Sequence, residues 1–205
     1  MKKNLSLLLA VSVIIWSCNN ASKESTNSTD TTNTSSNNMS SDSGAGGGRM
    51  TDTVTRGNGM PTDEASKSFL PKAADGGITE VQQGQLAQEK GMSQAVKDFG
   101  IMMVHDHSDA NGKVLALARQ RNITLPTTPG EKNQKMIDEL AKKSGRDFDK
   151  AYINGMVKDH HEDIKEFEEA SKKVTDTDVK SFIDNTLPVL RVHLDSAKAI
   201  QKRLK

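Results

Sequence analysis

From residue 62 onward, apolar residues recur at intervals of three and four, and strict alternation of apolar and polar positions is absent. That is the period of helices with one buried face, not of strands. The pattern predicts four long helices, over about 63–90, 94–121, 146–173 and 176–204, and a short one over 131–145. "KGMS" makes the first turn, with Gly91 suited to a helix end and Ser93 to an N-cap. "NITLPTTPG" reads as a loop, and "TDTD" offers caps for the last helix. Pro71, Pro126, Pro129 and Pro188 are the interruptions. Four amphipathic helices of similar length specify an all-α four-helix bundle. About 25 residues separate the second long helix from the third, more than a hairpin needs. A crossover running the length of the bundle is the first expectation, and simple up-and-down topology the second.

The same periodicity assigns each histidine a direction. In the second helix the apolar stripe is Val96, Phe99, Met103, Ala110, Val114 and Leu117, and position 107 falls on it. Position 105 lies about 200° from both 103 and 107, because each residue advances ~100°. His107 is therefore expected inside the bundle and His105 in solvent. His160 fills the gap between Val157 and Ile164 on the stripe of the third long helix, and His161 falls off it. His193 fills the gap between Leu190 and Ala197 on the last helix. The first helix has no histidine, but Glu80 shares a face with Ala73, Gly77, Gly84, Ala87 and Gly91, small residues that permit close helix approach. Counted from the turn near 92, Glu80 and His107 differ in height by about 4.5 Å at ~1.5 Å per residue. Counted from a turn near 174, His160 and His193 differ by about 7 Å on the same rise, an offset for tilt and a bend at Pro188 to absorb.

One carboxylate and three imidazoles, one from each long helix, thus meet near mid-core. Buried polar groups without partners are costly, so these four need one another or an ion. The two readings are a structural hydrogen-bonded cluster and a site for one divalent transition metal ligated by Glu80, His107, His160 and His193. Asp106, Asp159 and Asp163 are candidates to orient the rings from behind. Nitrogen-rich ligation with one oxygen suits Zn, Cu, Fe or Ni. Met102, Met103 and Met156 invite a copper reading, but methionine on amphipathic helices is chiefly core filler.

Composition narrows the function classes. Lys and Arg number 28 against 27 Asp and Glu, which gives no electrostatic case for nucleic acid. The sequence shows no nucleophilic triad, phosphate loop or CxxC motif, so enzymatic chemistry would have to come through a metal. The charge run "KDHHEDIKEFEE" is a solvated face or a surface for partner proteins. Lys2 and Lys3 followed by "LSLLLAVSVII" have the layout of a secretory signal, too short to span a membrane. The segment ends in "IIWSC", which resembles a bacterial lipoprotein signal over residues 1–18, although Trp16 departs from the usual small residue. Processing would leave Cys18, the only cysteine, as an acylated first residue and membrane anchor. Asn19 after it favours the outer membrane. Residues 19–61, rich in Ser, Thr, Asn and Gly, read as a disordered tether with a reach of roughly 35 Å. The helical domain then occupies 62–205.

"FLPKAADGGITEVQQGQLA", "VKDFGIMMVHDHSDAN", "ITLP", "FDKAYINGMVKDHHEDIKEFEEA" and "LPVLRVHLDSA" together resemble a bacterial family of predicted outer-membrane or periplasmic proteins whose domain has no assigned function. The similarity covers about residues 65–203. It implies a ferritin-like bundle and a cell-envelope location, and no established reaction. Di-iron bundles use Glu-x-x-His pairs, whereas here Val104, Val157 and Leu190 stand three before the inward histidines. A single-ion site fits these residues better than a carboxylate-bridged pair.

Overall fold

Capping aspartates set the ends of the helices and tie them to one another. A computed structural model describes residues 60–205, in which five helices occur and no strand: α1 (Glu64–Lys90), α2 (Gln94–Gln120), α3 (Glu131–Ala141), α4 (Gly145–Lys173) and α5 (Thr177–Arg203). Asp63 caps α1 by accepting from Ser66 N at 2.8 Å, and its other oxygen accepts from Thr175 N and Asp176 N at 3.0 and 2.8 Å. One carboxylate thereby holds the start of α1 against the α4–α5 turn. Its burial acts to raise its pKa, but the backbone donors outweigh this and hold it well below the usual carboxylate range. Ser93 caps α2 as expected, accepting from Val96 N at 3.3 Å. The buried Asp149 near the start of α4 accepts from Met92 N and Ser93 N, each at 2.8 Å.

These ties define the direction of each helix. The start of α1, the end of α2 and the α4–α5 turn lie together, joined by Asp63 and by the ion pair between Arg121 and Asp176. The α1–α2 turn and the start of α4 lie together at the opposite end, joined by Asp149. Helices α2 and α4 therefore run in the same direction, and the segment between them travels from one end to the other. On the way, α3 packs on α1 and α4. The long helices neighbour one another as α1 on α2, α2 on α5, α5 on α4 and α4 on α1.

Several local expectations are corrected. Pro71 and Pro188 do not interrupt: both lie inside unbroken helices. Each removes one N–H to the carbonyl four residues back, and those residues, Lys67 and Asp184, are exposed, so water can satisfy the freed acceptor. The short helix ends at Ala141 rather than at 145, and Gly145, with φ +56°, opens α4 instead. Gly91 ends α1 with φ −56°, so it is not there for a left-handed conformation. A Cβ on it would lie 2.5 Å from the Ala87 carbonyl.

The core has two apolar lobes. One gathers Phe69, Leu70, Val114, Phe167, Phe182 and Leu187. The other gathers Val96, Phe99, Met103, Phe148, Tyr152 and Ile200. Met103 and Met156 are packed in the second lobe, in keeping with a filling role. Gly84 and Gly100 set the α1–α2 approach: a Cβ on Gly100 would lie 2.7 Å from the Gly84 carbonyl and 2.8 Å from Ala87 Cβ. Among the described residues, no helix is long and apolar enough to cross a membrane. The signal segment 1–18 with Cys18, and the tether 19–61 as far as residue 59, fall outside the described residues.

Candidate functional site

Between the two apolar lobes lies one polar layer. Periodicity sends Glu80 from α1, His107 from α2, His160 from α4 and His193 from α5 into the core, and all four are buried there. His105, whose side chain is 81% exposed, and His161 face solvent. The predicted 7 Å offset between His160 and His193 came from placing the turn at 174. Counted from Thr175, in the middle of the 174–176 connector, the two stand 15 and 18 residues away, an offset of about 4.5 Å. Their ring nitrogens reach 3.3 Å of each other.

The rings form a triangle with centroid separations of 5.3, 5.3 and 5.7 Å. Each ring is backed by an oxygen. His107 Nδ1 lies 3.0 Å from Glu80 Oε2. His160 Nδ1 lies 3.0 Å from the Met156 carbonyl, one turn back on the same helix. His193 Nε2 lies 2.9 Å from Asp106 Oδ2, whose other oxygen takes His105 Nδ1 at 2.7 Å. Inside the triangle, His107 Nε2 is buried and has no hydrogen-bond partner among the described residues, and His160 Nε2 faces His193 Nδ1. The three rings each offer one nitrogen, all within 4.8 Å of one another. Glu80, His160 and Asp163 form a second such group.

Burial dominates the protonation of this layer. It lowers the imidazole pKa of His107 to about 4 and of His160 to about 3, and it lowers that of His193 less, against the pull of Asp106. The rings are neutral at physiological pH. The carboxyls move the other way. Burial raises Glu80 to about 8, with Asp159 adding repulsion and the neighbouring Asp163 opposing it. Asp163 is raised well above the usual range by burial and by the neighbouring Glu80. Asp106 is the exception: its desolvation is outweighed by donors from His105 and His193, and it stays ionised.

Of the three aspartates expected behind the rings, only Asp106 hydrogen-bonds one. Asp163 stands beside Glu80 and His160 without a hydrogen bond to a ring, and Asp159 acts on the layer through its charge. Sequence reasoning missed the Met156 carbonyl, which no side-chain pattern marks. It also missed Tyr152, whose buried hydroxyl has no partner among the described residues and is held neutral by burial and the nearby Glu80. A lone tyrosine beside an apolar stripe reads as core, which is how its ring packs between Phe99 and Phe148.

No curated protein and no solved structure matches the chain. A family model does, over residues 53–200, which takes in every element that supplies the layer. The chain belongs to the family described as domain of unknown function DUF4142.

Proposed function

We propose that this chain is a cell-envelope protein whose ferritin-like bundle binds one divalent transition ion through His107, His160 and His193. The observation that carries this reading is the proton count along the ring chain. The chain begins on the Met156 carbonyl and ends on the Asp106 carboxylate, and both of these only accept. Two neutral imidazoles have two N–H groups between them, and the two end contacts use both. His160 Nε2 and His193 Nδ1 then face each other at 3.3 Å with a lone pair each. That arrangement is repulsive without a cation. It matches the spacing of about 3.4 Å between two nitrogens that bind one tetrahedral zinc at ~2.05 Å. His107 Nε2, buried without a partner, is the third donor.

The outer contacts fit the same role. A metal-bound histidine characteristically gives its other N–H to a carboxylate or a backbone carbonyl. Here Glu80, the Met156 carbonyl and Asp106 take those three positions. Glu80 thus serves as an orienting group rather than the fourth ligand. The alternative grouping of Glu80, His160 and Asp163 is disfavoured, because the side of His160 that faces Glu80 is Nδ1, which the Met156 carbonyl occupies. Three neutral imidazoles suit Zn, Cu, Fe or Ni. The crossing α2–α4 connection supports the ferritin-like reading, and the signal-like residues 1–18 support a lipid anchor on Cys18 with 19–61 as tether.

Protein purified from bacterial membranes without added metal tests both parts. Elemental analysis is expected to find close to one transition ion per chain, and mass spectrometry an acylated Cys18 at the mature N-terminus. A metal-stripped sample that takes up neither zinc, copper nor iron in a calorimetric titration would reject the site and leave the layer as structure alone. An unmodified N-terminus on soluble protein would reject the anchor.

A further inference from the structure

Beside the polar layer, a cavity of about 520 Å³ opens between α1, α2, α4 and α5. Its size is that of a small-molecule pocket. Its inner end is formed by His107, His193, Glu80 and Asp163. The remainder is largely apolar, with Val114, Leu117, Phe167, Phe182 and Leu190 along the walls. His160 is not part of the lining, so the cavity reaches two rings of the triangle while the third stands behind them. His107, whose unpartnered Nε2 is buried, stands in this wall.

We infer that this cavity binds a small amphiphile with one anionic head group, the head lying at the metal held by the three rings and the apolar body along the helix walls. The inference rests on the metal reading above. Three neutral imidazoles leave the charge of a divalent ion offset only by the carboxylates behind the rings, and a three-histidine set leaves a coordination position for an outside ligand. Two of the three carboxyls nearest the rings are already engaged, Glu80 with His107 and Asp106 with His193 and His105. The charges of the rim are paired, Lys113 with Asp109 at 2.7 Å, Lys72 with Glu166 at 3.6 Å and Asp178 with Arg121 at 3.1 Å. Recognition of the head therefore falls to the inner end, and the walls reward hydrocarbon length.

The test uses the full chain in lipid nanodiscs, loaded with Co²⁺, with empty nanodiscs as the blank. Butanoate, hexanoate and octanoate are titrated against the visible cobalt spectrum. Each is expected to shift the bands, with affinity rising up to about fourfold per added methylene. Ala110→Phe, which fills the cavity from α2, is expected to keep the cobalt spectrum and abolish the dependence on chain length. Ala73→Phe fills it from α1 and serves the same purpose if the first variant does not fold. Cobalt uptake with no response to octanoate overturns this inference alone, as does a response that ignores chain length. Equal binding of n-octylamine overturns the anionic head. Absence of cobalt uptake rejects the metal reading and this inference with it.

Discussion

His160→Ala is expected to abolish metal-dependent stabilisation, and His107→Ala and His193→Ala to do the same. At free zinc about 100-fold above its dissociation constant, binding stabilises the parent by about 2.7 kcal/mol. Two remaining imidazoles on separate helices would keep little of that. His160 is fully buried, so its removal also leaves a cavity and disturbs the metal-free protein. The informative quantity is therefore the difference between melts with and without zinc, taken variant by variant, in which the metal-free cost cancels. His161→Ala, which alters an exposed ring away from the layer, is expected to keep the whole difference, and His105→Ala, whose exposed ring reaches the layer only through Asp106, to keep most of it. Glu80→Gln separates the two roles open to that carboxyl. As an orienting group it should weaken zinc binding by roughly 10- to 100-fold and leave the site intact. As a ligand its loss should match that of a histidine. Equal effects at inward and outward histidines would remove the case for the site.

The direction of each histidine was legible because helix periodicity is a one-dimensional signal, and 105 and 107 are separated by it whatever the tertiary structure. The backing oxygens were not legible to the same degree. Asp106 is next to His107 in sequence yet serves His193, 87 residues away, because it points along the α2–α5 contact and His107 points toward α1. Asp163 lies three residues after His160, yet the two nitrogens of that ring go to the Met156 carbonyl and to His193. Which carboxylate backs which ring depends on helix rotation at a packing contact, and sequence spacing carries no information about that. The crossing direction of the α2–α4 connection was suggested by its length, but the ties that define it, at Asp63 and Asp149, are long-range contacts that no local pattern marks. Pro71 and Pro188 misled because proline disfavours a helix interior, yet one lost hydrogen bond on a solvated face is offset by the burial of Leu70 and Leu187 beside them.

Arg121 was not legible at all, and its replacement is expected to have the largest effect on stability in the metal-free protein. An arginine in the last turn of a helix ordinarily faces water and complements the helix dipole. Here its side chain is 1% exposed and binds Asp176, whose side chain is 6% exposed, through both Nε and Nη2, each at 2.6 Å, while Nη1 donates to the Leu117 carbonyl at 3.0 Å. Asp176 in turn caps α5. Arg121→Ala leaves that carboxylate buried without its counter-ion, and breaking such a pair from one side costs about 3–5 kcal/mol. For a domain of this size the melting temperature should fall by on the order of 10 °C. Arg121→Lys should recover little, since an ammonium cannot reproduce the two-pronged contact. Lys135→Ala, which breaks the exposed pair with Glu131, should cost under about 0.5 kcal/mol. The pH dependence carries the same signature. The hydrogen bonds from Arg121 lower the pKa of Asp176 in the folded state, so the stability this pair contributes is present above the unfolded carboxyl value of about 3.9. It is lost as pH falls through the lower, folded value. The gap between parent and Arg121→Ala should accordingly stay constant between about pH 6 and 8 and narrow below about 4. A gap under 1 kcal/mol at neutral pH, or one that does not narrow in acid, would mean that the pair fixes the direction of the helices without stabilising them.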